Sequence, residues 1–166
     1  MALIEPRPGV AEGAAYSTRR PEHLLNVRAA GMSAFDDAPG DFVRFLGTLP
    51  AHAGDDPAAL GLRFMPRMLY ARYLAAVLEA SPGHARLHRV HGAAQDVVRA
   101  GDGFEVRLAS GERLQARAVV LAVGNRAARL PLSGTAPVPA VDAWDYPAVA
   151  AIAPEADVCI LGAGLS

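Results

Sequence analysis

The chain has 166 residues, 52% of them hydrophobic, with a formal net charge of −1 and a mean hydropathy of +0.18. That is enough for one ordinary domain burying roughly 70% of its unfolded surface, and too apolar for a disordered tail. The near-neutral charge gives no electrostatic reason to expect nucleic acid or an anionic membrane as a partner. All sixteen basic residues are Arg, so no Walker-type phosphate lysine and no Schiff-base lysine is present.

The chain opens on a short apolar strand ending in an acid, Ala2-Leu3-Ile4-Glu5-Pro6. Residues 7 to 35 are punctuated by Gly and Pro and carry no sustained period, so they are expected to form a long ordered loop with one helical turn near Pro21-Glu22-His23-Leu24. Asp41 to Leu46 is expected to be helical, with Asp41 as N-cap or first-turn acid, and residues 50 to 61 a Gly/Asp/Pro-rich connection. The strongest helix is Arg67 to Ala80. Met68, Leu69, Tyr73, Leu74, Val77 and Leu78 recur near helical spacing, Pro66 suits its start, and Ser81-Pro82-Gly83 ends it. Tyr70 and Tyr73 on this helix are expected to be packing residues.

Leu87 to His91 predicts a parallel strand following that helix. Three short segments come next, Ala94–Ala100, Phe104–Ala109 and Arg113–Arg117, joined by turns that carry Gly101, Gly103 and Gly111. They predict an antiparallel meander, because Phe104, Val106 and Leu108 alternate with Glu105 and Arg107. The meander runs into Ala118-Val119-Val120-Leu121-Ala122-Val123-Gly124, an unbroken apolar run expected to be a buried parallel strand. Residues 125 to 154 are a Pro-rich connection. A last apolar strand, Asp157 to Leu161, runs into Gly162-Ala163-Gly164-Leu165-Ser166.

No apolar stretch is long enough to span a bilayer, and no basic segment followed by an apolar core opens the chain; the cytoplasm is the default expectation. Cys159 lies in an apolar run and is expected to be a buried, unreactive core residue. His84, His88 and His91 are expected to be loop or surface histidines. On a strand, His88 and His91 face opposite ways and cannot share a metal directly, so no metal site is expected.

Two features carry candidate chemistry. Glu5 ends a strand where a dinucleotide-binding unit places an acid to accept hydrogen bonds from both hydroxyls of a ribose. From those residues alone, a surface Glu beside a proline is the simpler reading. Gly162 and Gly164 follow a strand, as in a loop that brings backbone N–H groups to a pyrophosphate. Plain strand-to-loop glycines explain the pair equally well. A third reading, Gly164-Leu165-Ser166 as the start of an α/β-hydrolase nucleophile elbow with Ser166 as nucleophile, lacks an HGGG-type oxyanion segment upstream. Each end of the chain thus looks like half of a nucleotide-binding unit, and the chain is expected to be a fragment.

Taken in order, these pieces resemble one family. The stretches are Leu3-Ile4-Glu5-Pro6, Gly13 to Thr18, His23-Leu24-Leu25-Asn26-Val27 with Met32-Ser33-Ala34, Pro66-Arg67-Met68-Leu69-Tyr70 with Tyr73-Leu74, Val119 to Asn125, and Ile160 to Leu165. The resemblance is to bacterial FAD/NAD(P)-binding flavoproteins with two dinucleotide-binding domains, relatives of the flavin-dependent N-hydroxylating monooxygenases. It implies a Rossmann-like parallel sheet with the antiparallel meander attached. Residues 1–125 would be most of an FAD-binding domain without its first strand and Gly-rich loop, 126–154 a linker, and 155–166 the start of an NAD(P)-binding domain.

By the same resemblance, Glu5 would hold the adenosine ribose of FAD, and Asn26, Val27 and Met32 would pass beside the flavin. Val123, Gly124 and Asn125 would let backbone approach the flavin nucleotide, and Ala94 would lie near the adenine. Gly162 and Gly164 would open the NAD(P)H phosphate loop. The family usually has Ala-Thr-Gly where this chain has Ala122-Val123-Gly124, so a hydroxyl is lost. The implied activity is an FAD-dependent, NAD(P)H-linked oxidoreductase acting on a small molecule. The rival reading is a non-catalytic or degenerate nucleotide-binding module.

Overall fold

The computed structural model describes residues 1–124, 140–143 and 145–162. The chain divides into two units, Met1–Val123 and Gly124–Ser166. In the first unit, β1 (Ala2–Glu5) lies parallel to β2 (His88–His91), with Leu3 opposite Arg89 and Glu5 opposite His91. The pairing extends beyond the strands, since the His88 N–H donates to Met1 O and the Gly92 N–H to Glu5 O. The parallel strand expected after the long helix is therefore present, and its partner is the opening strand.

The long helix α4 spans Arg67–Ala80, as its periodicity predicts. The face it buries is slightly rotated from the expected one: Leu69, Tyr70, Tyr73, Leu74 and Val77 pack on the core, while Met68 and Leu78 do not. Helix α2 (Asp41–Gly47) crosses it and buries Phe42 and Leu46. Gly40 takes the cap position, so Asp41 is a first-turn acid and pairs with Arg44. Leu25, Ala29, Leu60 and Met65 complete the core. Burial of aliphatic and aromatic side chains of this size contributes about 1.5–3 kcal/mol each before the entropy cost of ordering them.

One hydroxyl ties this core together. Tyr73 is only 1% exposed, and its hydroxyl donates to Asp41 Oδ2 at 2.7 Å while accepting the Ala34 N–H at 3.1 Å. Burial, first of all, raises the phenol pKa above its ordinary value, and the neighbouring Asp41 carboxylate adds to the shift. The ring meets Phe42, Phe45 and Tyr70 at centroid distances of 5.1, 5.5 and 5.6 Å, and Tyr70 in turn meets Tyr16 edge-on at 5.0 Å. The packing role expected of Tyr70 and Tyr73 holds.

Backbone bonds lash the long loop to the start of α4. The Leu25 N–H donates to Met65 O, the Ala29 N–H to Arg63 O and the Arg67 N–H to His23 O, all at 2.8–2.9 Å. Thr18, fully buried, completes its hydrogen bonding through Oγ1 with His23 Nδ1 at 2.8 Å and the Arg20 N–H at 3.2 Å. The helical turn expected near residues 21–24 is displaced. Helical geometry appears instead in α1 (Gly13–Tyr16) and in a 3-10 turn at Ala29–Gly31, while Leu24 bridges Pro66. The connection at 50–61 also contains a short helix, α3 (Pro57–Gly61), whose Asp56 cap accepts the Ala59 N–H at 2.9 Å with Pro57 in the first turn.

The meander forms as expected: β3 (Ala94–Ala100), β4 (Gly103–Leu108) and β5 (Arg113–Ala116), antiparallel in the order β3-β4-β5. Gly101 and Gly111 take positive φ at its turns. Val106 and Leu108 are its buried residues, while Glu105 gathers Arg107, Arg113 and Gln115 on the other face. At Gly103 a side chain would strike the carbonyl oxygen of Ala116, so only glycine fits between β4 and β5.

Two expected strands do not form. The run at 119–123 is in no strand, and Val120, Leu121 and Val123 are 90%, 70% and 84% exposed. A run apolar on both faces becomes a buried strand only with strands on both edges and helices above and below. Among the described residues, the parallel sheet is the β1–β2 pair alone. Nor does the opening strand pair with this run. The stretch 157–161 likewise forms no strand, which leaves Val158 and Ile160 at 59% and 82% exposure and Cys159 exposed rather than buried. In the second unit, α5 (Tyr146–Ala150) interrupts the Pro-rich connection, with Asp145 capping the Ala148 N–H at 3.1 Å.

Removing the Tyr73 hydroxyl leaves the Ala34 N–H and an Asp41 oxygen without their partner. Tyr73→Phe is expected to lower unfolding stability by about 1–2 kcal/mol in urea melts, with the native fold retained.

Candidate functional site

Parallel strands end where ligands of open α/β sheets bind, at their carboxyl ends. Glu5 is the last residue of β1, and its side chain is half-buried. Side chains alternate along strands, so the register sets Leu3 and Glu5 of β1 beside Arg89 and His91 of β2 on one face. With Arg7, Pro8, Val10 and Val90 these residues line a groove of ≈ 90 Å³. Glu5 Oε1 accepts the Arg7 N–H at 3.0 Å, closing the turn that follows the strand. Among the described residues Oε2 makes no hydrogen bond, so one carboxylate oxygen is placed to accept from hydroxyls. This donor-seeking oxygen fits the edge of a ribose; the groove is too small for more than a sugar-sized portion of a nucleotide.

The other expected site residues occupy separate places. Asn26 and Val27 are exposed on the loop lashed to α4, and Met32 is half-buried against the core. Ala94 is exposed at the start of β3, where the pairing with β4 is irregular between Ala94 and Asp96. None of these four lines the groove at Glu5. Val123 is exposed; Gly124 and Gly162 take φ of +65° and +94°, backbone that L side chains rarely adopt. Nothing lies within 4 Å of where a Gly124 side chain would start, so the glycine answers to its backbone angle and leaves open space beside it. Asn125, Gly164 and Ser166 lie outside the described residues.

His88 and His91 are exposed on β2, and His84 is half-buried in the turn before it.

A second constellation escaped sequence reasoning. His52 Nδ1 lies 3.0 Å from Asp55 Oδ2, and Arg63 donates to the same oxygen at 2.8 Å. The His52 hydrogen bond, followed by the positive charge of Arg63, holds the Asp55 carboxyl below its ordinary value of 3.8. His52 and Asp55 line an open trough beside α2 and α3, with Ala30, Val43 and Leu62. The only trace in the sequence is the i, i+3 spacing of His52 and Asp55 ahead of the Asp56-Pro57 helix start.

The FAD-NAD(P)-binding family model matches residues 1–126 of the 166. The chain belongs to this FAD-NAD(P)-binding family, and FAD and NAD(P)H are its cofactors. No curated protein and no solved structure matches it. Among the described residues no helix is long and apolar enough to cross a membrane.

Because Asp55 has a lowered pKa in the folded state, its contribution to stability is complete above the unfolded value near 3.8 and is lost as pH falls through the lower folded value. Asp55→Asn is therefore expected to melt below the wild type at pH 7. Melting curves taken down to pH 2–3 are expected to show the two proteins converging.

Proposed function

We propose that the chain forms part of an FAD-dependent, NAD(P)H-linked oxidoreductase, with residues 1–125 contributing to the FAD-binding domain and 155–166 beginning the NAD(P)-binding one. The observation that carries this reading is Glu5. It stands at the carboxyl end of a parallel strand, inside a family match to FAD-NAD(P)-binding proteins, with one carboxylate oxygen unengaged.

In this reading the Glu5 carboxylate accepts hydrogen bonds from the adenosine ribose of FAD, and the Arg7 N–H, by holding Oε1, fixes the direction in which Oε2 faces. A carboxylate at this place also repels a phosphate on the ribose. Asn26, Val27 and Met32 run beside the flavin. Their backbone is held by the bonds from 25 to 65 and from 29 to 63, so the segment keeps its shape without help from the ligand. Ala94 borders the adenine. Val123, Gly124 and Asn125 give the nucleotide a close backbone approach, to which the open space at Gly124 is suited. Gly162 and Gly164 open the NAD(P)H loop, and the left-handed Gly162 matches a turn of that kind.

FAD, when bound, would supply the redox chemistry, hydride uptake from NAD(P)H and electron delivery to an acceptor. The protein's share is binding and orientation, and no side chain of this chain is assigned a proton-transfer step. Monooxygenase-like use of oxygen is the finer form of the proposal and rests on the resemblance alone. The exposed, left-handed Gly162 equally permits a plain nucleotide-binding module without turnover; NAD(P)H oxidation in the presence of FAD separates the two.

Removing the acceptor tests the central assignment. Glu5→Ala is expected to weaken FAD binding by about 1.5–3 kcal/mol, or roughly 10- to 150-fold in Kd, in fluorescence-quenching titrations of the protein. Equal affinities for wild type and variant would remove Glu5 from the ribose site.

A further inference from the structure

The long loop runs beside the lead-in to α4 as a paired strip. Leu24 bridges Pro66 antiparallel, and the backbone bonds from Leu25 to Met65 and from Arg67 to His23 flank that bridge. Side chains alternate across such a pairing, so Leu25 and Met65 are buried in the core while Leu24 and Phe64 turn outward. Leu24, Val27 and Phe64 are 46%, 42% and 47% exposed, and Asn26, between the first two in sequence, is exposed with them.

Arg28 adds a charge to this apolar strip. Its guanidinium carbon stands 6.0 Å from the centre of the Phe64 ring, and among the described residues no carboxylate pairs with it. The cation is held over an aromatic face by its attraction to the ring, with no anion beside it to neutralise the charge. A braced strip with aromatic surface, a branched aliphatic and an uncompensated positive charge suits a flat, largely apolar ring that turns negative.

The two cofactors of this family carry three rings. Adenine stays neutral, and oxidised nicotinamide is a cation that Arg28 repels. Only the isoalloxazine of FAD gains a negative charge: the hydride leaves NAD(P)H with both electrons of its bond, so the nicotinamide becomes a cation and the flavin a monoanion. We infer that Phe64 and Arg28 contact the isoalloxazine ring, Phe64 packing on it and Arg28 facing the edge that takes up the negative charge. The inference rests on the FAD reading above, which runs Asn26 and Val27 beside the flavin, and extends it to the segment that precedes α4. Arg28 then holds the reduced ring more tightly than the oxidised one, which raises the potential of the bound couple.

The full chain and its Phe64→Ala, Phe64→Trp and Arg28→Gln variants, titrated with FAD and with ADP, test this. ADP carries the adenosine without the flavin, so unchanged ADP affinity reports an intact fold. Phe64→Ala is expected to bind FAD about two- to tenfold more weakly, the worth of one aromatic contact, and ADP as before. In Phe64→Trp the indole is expected to quench the emission of bound FAD severalfold below that in the wild type. At low salt, Arg28→Gln is expected to shift the ratio of reduced to oxidised FAD affinity about two- to fivefold toward the oxidised form, a midpoint potential about 10–20 mV lower. An unquenched FAD in Phe64→Trp overturns the inference, as does a potential that Arg28→Gln leaves in place. FAD binding weakened by Glu5→Ala but by neither Phe64→Ala nor Arg28→Gln overturns it alone and keeps the ribose site; a wild type that binds no FAD overturns both.

Discussion

The phenol oxygen of Tyr73 is the point on which three separate stretches of chain converge. It lies on α4, donates to Asp41 at the start of α2, and accepts the Ala34 N–H from the end of the long loop. A buried hydroxyl with both its donor and acceptor capacity in use fixes direction as well as distance, which apolar contacts alone do not. Around it, the rings of Phe42, Phe45 and Tyr70 pack within 5.6 Å of the Tyr73 ring. Since Phe42 follows Asp41 directly, the polar bond and the aromatic contacts seat the same turn of α2.

That seat has consequences on both sides of the core. On one side it holds the loop through residue 34, and the backbone bonds from 23–29 to 63–67 hold it again at its middle. An irregular segment thereby gains the definition of a secondary element, which a ligand-flanking segment requires if the ligand is not to supply the ordering energy itself. On the other side it seats the start of α2, which also packs against α3. Tyr73, midway along α4, thus seats both the loop that ends at residue 34 and the start of α2.

The two sites differ in the chemistry they offer. At the end of β1 a carboxylate with one engaged and one unengaged oxygen asks for hydroxyl donors in a solvated groove. Beside α2 and α3, His52, Asp55 and Arg63 form a hydrogen-bonded chain of side chains. In each, a donor fixes one carboxylate oxygen, the Arg7 N–H at Glu5 and the Arg63 guanidinium at Asp55. The family match covers the chain containing both, and its FAD-NAD(P)-binding character concerns nucleotide sites; the trough at His52 is a separate property of the same unit.

Elements that are held by their own neighbours in sequence could be read without the structure. Helix α4 declares itself through its apolar spacing and its Pro and Gly boundaries, and the meander through two glycine turns that bring adjacent strands together. Glu5 at a strand end was legible because a strand followed by Pro stops there. Helix α3 was not: five residues are too few to show a period, so only its Asp-Pro start marked it. Tertiary structure alone decided what depends on distant partners. Composition made the run at 119–123 and the surroundings of Cys159 apolar, but whether an apolar run is buried depends on what packs against it, and here both lie exposed. Likewise no spacing rule could bring Arg63 to the oxygen of Asp55 that holds His52, or Asp41 to Tyr73, because the loops between them close only when the core does.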